Sequence, residues 1–261
     1  MNIKELLKVG IENGTFANKV YKFREFNEFT YKIILDSEFY FASPRSFNDP
    51  FDCNLSYREE YSIREIDEAY ENLANTKYTK EQLHSMYGSN SDEFVRSFGK
   101  LNEQLVSLSG ILSLSKSNNN ITMWSHYAKN HTGLVFELHV NEDFDFFNGY
   151  SIVNYSKDYE KLSYTKDDEK ELYNALITKY TDWEYEEEIR IIDFYENGAK
   201  KFNKHALKTI YFGYKAQEID IKHIIQLCQI NGFSHVKFKK AKLIPGEFAL
   251  DFDEINKSIY L

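Results

Sequence analysis

Two glutamates and an arginine, Glu186, Glu188 and Arg190, occupy alternate positions in the stretch DWEYEEEIRIIDF, residues 182–194. In a β-strand, residues two apart share a face and sit about 7 Å apart. Glu186, Glu188, Arg190, Ile192 and Phe194 then point one way, and Glu187, Ile189, Ile191 and Asp193 the other. One reading is an edge-strand ladder of carboxylates and a guanidinium, worth little when exposed. The other is a site. If Arg190 pairs with one carboxylate, that group stays ionised, and its twin, raised by burial and like charge, is left for work. Acid–base or cation-stabilising chemistry requires such unequal pairs.

A second cluster, ITMWSHYAKNHTG (121–133), packs Trp124, Ser125, His126, Tyr127 and His131 into eight positions. The two histidines are five apart and no acidic third ligand follows, so no metal site is expected. The segment either braces a sheet, with His131 capping the turn before Gly133, or forms a pocket wall. A third stretch, RSFNDPFD (45–52), places Asn48 and Asp49 in a turn fixed by Pro50, with Phe47 and Phe51 as anchors. Asn48 and Asp49 are therefore turn formers or pocket residues, like Trp124, His126 and Arg190. Arg24, in YKFR, is a surface charge or a bidentate ligand for phosphate or carboxylate. The chain has no phosphate-binding loop, dinucleotide glycine fingerprint, nucleophile elbow or paired zinc ligands.

These residues must be held by an α+β chain with a central antiparallel or mixed sheet. The first sixty residues read as helix, strand (21–24), helix with Phe29, Ile33 and Leu35 on its face, and strand (38–43). Residues 58–107 change character. Capping boxes at Ser62–Glu65 and Thr79–Gln82 open helices there. Ile63, Ile66, Tyr70 and Leu73, then Phe94, Phe98, Leu101, Leu105 and Leu108, form apolar stripes. This helical section is expected to cover one side of the sheet as an insertion in a single domain, 1–261. In GILSLS, Ser113 and Ser115 share one face, and Leu112 and Leu114 the other. TGLVFELHV and YSIVNY read as strands and 166–180 as a helix; TIYFG, AQEIDIKHIIQLCQ and HVKFKKAKL read as strand, helix, strand.

The 261 residues are 42% hydrophobic, 28% charged and 16% aromatic, the balance of a folded protein with an ample core. A net charge of −9 supplies no general attraction to nucleic acid or anionic membranes, although KYTK or KFKKAK would line a local basic groove. Lys4, Lys8 and Glu12 interrupt the N-terminal apolar run, so no signal peptide is expected. No stretch approaches the roughly 20 apolar residues of a membrane helix. Cys53 and Cys228 show no paired spacing and are expected as reduced thiols in a cytoplasmic protein.

EFYFASPRSFNDPFD, MWSHYAKNHTGLVFE and WEYEEEIRI, in that order over roughly residues 20–250, resemble a widespread bacterial family of unknown function. Its members share an FNDPFD-type turn, a MWSHYA-type segment and a W-x-Y-E-x-E-x-R strand. The chain is also distantly similar to the R-S-E type of mono-ADP-ribosyltransferase: Arg24, then LSLS with Ser113 and Ser115, then Glu186-x-Glu188. Leu114 stands where that family often has a small hydroxyl residue. The resemblance implies NAD as substrate, with Arg24 contacting it and the serine strand bracing the site. Glu188 would stabilise the oxocarbenium-like transition state, and Glu186 would orient an acceptor nucleophile. Tyr127 is a further candidate for NAD binding. A protein or nucleic-acid acceptor would go with this activity, and a toxin or phage-defence role follows from the sort of bacterial family that the chain resembles. Two other classes stand beside it: a ligand- or protein-binding module whose motifs are structural, and a metal-independent nuclease or hydrolase using His126 with Glu188.

Overall fold

The computed structural model describes residues 2–58, 100, 102–159, 161–162 and 168–261, with isolated positions between 62 and 85. Its strands are β1 (Lys19–Arg24), β2 (Glu38–Phe41), β3 (Gly110–Ser115), β4 (Leu134–His139), β5 (Tyr150–Ile152), β6 (Asn154–Ser156), β7 (Thr178–Tyr180), β8 (Glu188–Asp193), β9 (Gly198–Lys201), β10 (Leu207–Phe212), β11 (Lys237–Leu243) and β12 (Leu250–Glu254). The helices that flank them include, among the described residues, α1 (Ile3–Glu12), α2 (Glu28–Leu35), α3 (Ile121–Tyr127), α4 (Asp168–Ile177) and α5 (Glu218–Ile230). Eight strands form one sheet in the order β12-β11-β10-β4-β1-β3-β8-β5, and β2-β9 and β6-β7 pair separately. Within the large sheet β10 and β11 run parallel across α5, and the other neighbours are antiparallel. The fold is α+β with a mixed sheet.

The two faces of this sheet are packed differently. On the first, Leu112, Leu114, Leu134, Phe136, Ile189 and Ile191 lie in one continuous apolar core with Leu7 of α1, Ile33 of α2 and Ile224 of α5. The leucine side of GILSLS faces this core, as its alternation predicted. On the second face the packing divides in two. One cluster holds Tyr21, Phe23, Met123, Trp124 and Val135; the other holds Cys53, Ile111, Leu176 and Ile192. The gap between these clusters is polar, and it becomes the site.

Several local readings are corrected. In α2 the buried stripe is Thr30, Ile33 and Ile34, while Phe29 and Leu35 are exposed. The Thr30 hydroxyl donates to the carbonyl of Glu25, turning that stripe inward. YSIVNY breaks at Val153 into β5 and β6. The helix expected over 166–180 ends at Ile177, and β7 follows it. Strand β12 was not anticipated; it pairs along β11. Of the helical section, Thr79 and Gln82 exchange the expected capping bonds. At its end Asn102 and Val106 are buried, whereas Leu105 and Leu108 are exposed, so the stripe there is offset. The Ser62–Glu65 box and the stripes through Ile63, Ile66, Tyr70, Leu73, Phe94, Phe98 and Leu101 lie wholly or partly outside the described residues. Among the described residues no helix is long and apolar enough to cross a membrane.

Helix α3 closes the second face. Asn120 caps it, accepting from the amides of Thr122 and Met123. Trp124 is fully buried, edge-on to Phe23 with ring centroids 5.5 Å apart, and its Nε1 donates to the carbonyl of Asn118 at 2.7 Å. Trp124→Ala is expected to lower the unfolding free energy by about 3–5 kcal/mol in urea denaturation. A loss below about 1 kcal/mol would show that this ring does not anchor the helix.

Candidate active site in the split of the sheet

The sheet is weakly joined at one place. β1 and β4 stay in register from Lys19↔His139 to Arg24↔Leu134, and β3 and β8 from Gly110↔Asp193 to Ser115↔Glu188. Between β1 and β3 the register consists of Tyr21↔Ser115 alone. Lys22 reaches across this opening, its Nζ donating to the carbonyl of Ser113 at 2.7 Å. A cleft of about 110 Å³ lies here, lined by Ser113, Ser115, Tyr127, Lys179, Glu186 and Glu188 among others.

Its floor is a network of buried charge. Arg190 has no exposed surface. Its Nε donates to Glu188 Oε1 at 3.0 Å, and one terminal nitrogen, Nη2, grips Asp52 at 2.8 and 2.7 Å and reaches Glu188 Oε2 at 3.1 Å. The other, Nη1, donates to the carbonyl of Leu176 at 2.7 Å and to Cys53 Sγ at 3.1 Å. Lys179 joins the two glutamates, donating to Glu186 Oε2 at 2.5 Å and Glu188 Oε2 at 2.9 Å, with Asp52 Oδ2 at 3.7 Å. The Tyr127 hydroxyl donates to Glu186 Oε1 at 2.5 Å. From behind, the Glu188 amide donates to the Tyr155 hydroxyl at 2.8 Å.

Protonation follows from this wiring. Burial alone would raise the Glu188 carboxyl, but Arg190 and Lys179, helped by the Ser113 hydroxyl, hold it down at about 2. Burial would neutralise Lys179, and Glu188, Glu186 and Asp52 overcome that and keep it charged. Burial and the bond to Glu186 push the Tyr127 phenol up, so it stays a donor. Burial likewise raises the Cys53 thiol, against the pull of Arg190. For Lys22, burial, with Arg24 beside it, outweighs the pull of Glu188 and Glu186 and lowers it to about 7.

The expected residues therefore divide. Glu186, Glu188, Ser113, Ser115, Tyr127 and Asn48 line one cleft. Glu186 arrives by a different route from the one its spacing suggested. It ends a 3₁₀ turn, Thr181–Glu186, and Glu187 takes a left-handed conformation (φ 46°) before β8 begins at Glu188. The shared side therefore comes from a turn and a strand converging on Lys179, not from strand alternation. Asn120 and Tyr127 latch that turn to α3, through the Tyr185 carbonyl and Glu186. Arg190 lies beneath the cleft, fully engaged. Asp49 caps a turn, accepting from the Phe51 amide at 2.9 Å, and lines a neighbouring hollow. Trp124 is core, and His126 is exposed, with Nδ1 3.2 Å from the Tyr185 hydroxyl.

Arg24 is not among the residues lining the cleft. The Tyr21↔Ser115 pair fixes the parity of β1, so Tyr21 and Phe23 face the serines, and Lys22 and Arg24 start from the opposite face. Arg24 instead sits 5.9 Å from the ring centre of Phe29. Sequence reasoning also missed Asp52, Lys179 and Lys22. Asp52 stood inside the quoted turn but was read as part of it; Lys179 was hidden in a stretch expected to be helical. Among the described residues no group of three or more His, Cys, Asp or Glu side chains is arranged to hold a metal ion.

Two outcomes test the wiring. Arg190→Met leaves Glu188 and Asp52 buried without their guanidinium and is expected to cost about 3–5 kcal/mol in chemical denaturation. A cost under 1 kcal/mol would contradict the network. Because Glu188 is depressed on folding, the stability it supplies is present above its unfolded value of 4.5 and lost as pH falls through about 2. Unfolding midpoints measured from pH 6 to pH 2 should fall more steeply for the wild type than for Glu188→Gln. Parallel curves would show that Glu188 carries no such linkage.

A family described as "Protein of unknown function (DUF2971)" matches residues 123–191. That span begins in α3 and ends in β8, so it contains Tyr127, Lys179, Glu186, Glu188 and Arg190 but neither β1 nor Asp52. No curated protein and no solved structure matches the chain.

Proposed function

We propose that the cleft is the NAD site of an ADP-ribosyltransferase-like enzyme. The observation that supports this most is the adjacency of the motif-bearing strands. Arg24, the Ser113/Ser115 pair and Glu188 are far apart in the chain, yet β1, β3 and β8 are successive neighbours, and the sheet opens between the first two.

In this reading the bond between the nicotinamide nitrogen and C1′ of its ribose breaks, and the electron pair leaves with neutral nicotinamide. Positive charge then develops at C1′ and the ring oxygen. Glu188, ionised at any ordinary pH, faces that charge. A nucleophile attacks C1′ from the cleft and gives up its proton to solvent, positioned by Glu186, which Tyr127 and Lys179 hold in one orientation. Water as nucleophile gives glycohydrolysis; an acceptor hydroxyl, amine or amide gives transfer. Lys22, half-buried and lining the opening, replaces Arg24 as the β1 side chain that contacts NAD, as a hydrogen-bond donor. NAD loss inside a cell would suit a toxin or phage-defence effector.

One observation favours a second reading, a ligand-binding module with a structural charge cluster. All four carboxylate oxygens of Glu186 and Glu188 accept from protein donors. The pairing of His126 with Glu188 in a hydrolase is not carried forward, because His126 is exposed and outside the cleft's lining.

Incubation with NAD labelled in its nicotinamide should release the label. Glu188→Gln, still folded by circular dichroism, should lower the rate by about 100-fold or more. An unchanged rate in that variant would overturn the role of Glu188, and no release by the wild type would favour the binding module.

A further inference from the structure

A second hollow adjoins the cleft, with Lys179 and Asp52 lining both. It is the larger, about 270 Å³, near the lower end of the range for small-ligand pockets, roughly 300–1,000 Å³. That is room for one ring-bearing group rather than a whole dinucleotide. Three aromatic side chains line it, Phe51, Tyr159 and Tyr180, and they keep 67%, 47% and 48% of their surface exposed. Large rings left open around one concavity are surface that a flat partner would cover. Asn54 and Asn174 add amides that offer both donors and acceptors. Among the described residues the lining holds four carboxylates against three lysines, one net negative charge, which disfavours a phosphate or a polyanion and suits a neutral ring.

We infer that this hollow binds a nucleobase, stacked on its aromatic rings and held at its edge by Asn54 and Asn174. Stacking on such rings tolerates any base, whereas the two amides supply the preference. The base comes either from the adenine end of the dinucleotide or from a separate acceptor, whose ring the shared Lys179–Asp52 wall would bring beside C1′. This second step rests on the NAD reading; base binding itself does not.

The test is calorimetric titration of the full chain with adenosine and with guanosine, repeated for Phe51→Ala and Tyr180→Ala. Both side chains are exposed, so the variants should unfold at the wild-type temperature. At least one nucleoside should bind the wild type and lose about tenfold or more in affinity in the variants. If NAD weakens by the same factor while nicotinamide mononucleotide does not, the base is the dinucleotide's own. If nucleoside binding is lost and NAD binding is unchanged, the base belongs to an acceptor. The inference is overturned if neither nucleoside binds, or if both variants bind as tightly as the wild type. NAD turnover without nucleoside binding would sink this hollow and leave the proposed function standing; nucleoside binding without turnover would do the reverse.

Discussion

Arg190 enters the interior with no exposed surface, and a guanidinium is tolerated there only when its charge and donors are matched. Asp52, Glu188, the Leu176 carbonyl and Cys53 provide that match. They come from three parts of the chain: Asp52 and Cys53 from the turn after β2, Glu188 from β8 itself, and Leu176 from the end of α4. The requirement to neutralise one buried cation therefore ties two remote segments, the turn after β2 and the end of α4, to β8. Lys179 extends the same logic by one layer, drawing Glu186 and the 3₁₀ turn onto the strand. Removing any member leaves the rest buried and unbalanced, which makes this network a constraint on fold and site together.

The split between β1 and β3 gives the network an outlet. Here the apolar packing of the second face divides into two clusters, with Trp124 in one and Ile192 in the other. Polar side chains occupy the gap. Glu188 is thus buried by the protein and still lines a cleft. Such a carboxylate is preorganised: its charge and orientation are fixed by Arg190 and Lys179 before any ligand arrives.

Much of this was legible in residue periodicity. The alternation of GILSLS set its leucines on the core and its serines on the site, and the alternation from Glu188 to Ile192 set Arg190 beside Glu188. Properties that depend on register or on distant partners were not legible. Arg24 and Tyr21 differ by an odd number of positions, and only the pairing of Tyr21 with Ser115 decides which of them faces the serines. Asp52 meets Arg190 138 positions away, and nothing local in FNDPFD distinguishes it from the turn-forming Asp49. Lys179 follows a helical pattern that ends two residues earlier, so it reads as helix surface. Glu186 was assigned to the correct side for a reason that did not hold: the left-handed Glu187 interrupts the strand phase, and Lys179 restores the pairing.

The buried cations Arg190 and Lys179 keep Glu188 ionised at the base of the cleft. Carboxyl carbon chemical shifts followed through a pH titration, with Glu188 assigned by its loss in Glu188→Gln, measure this directly. Glu188 is expected to remain ionised at pH 3 and to titrate near 2. A midpoint at or above the ordinary glutamate value of 4.5 would contradict it.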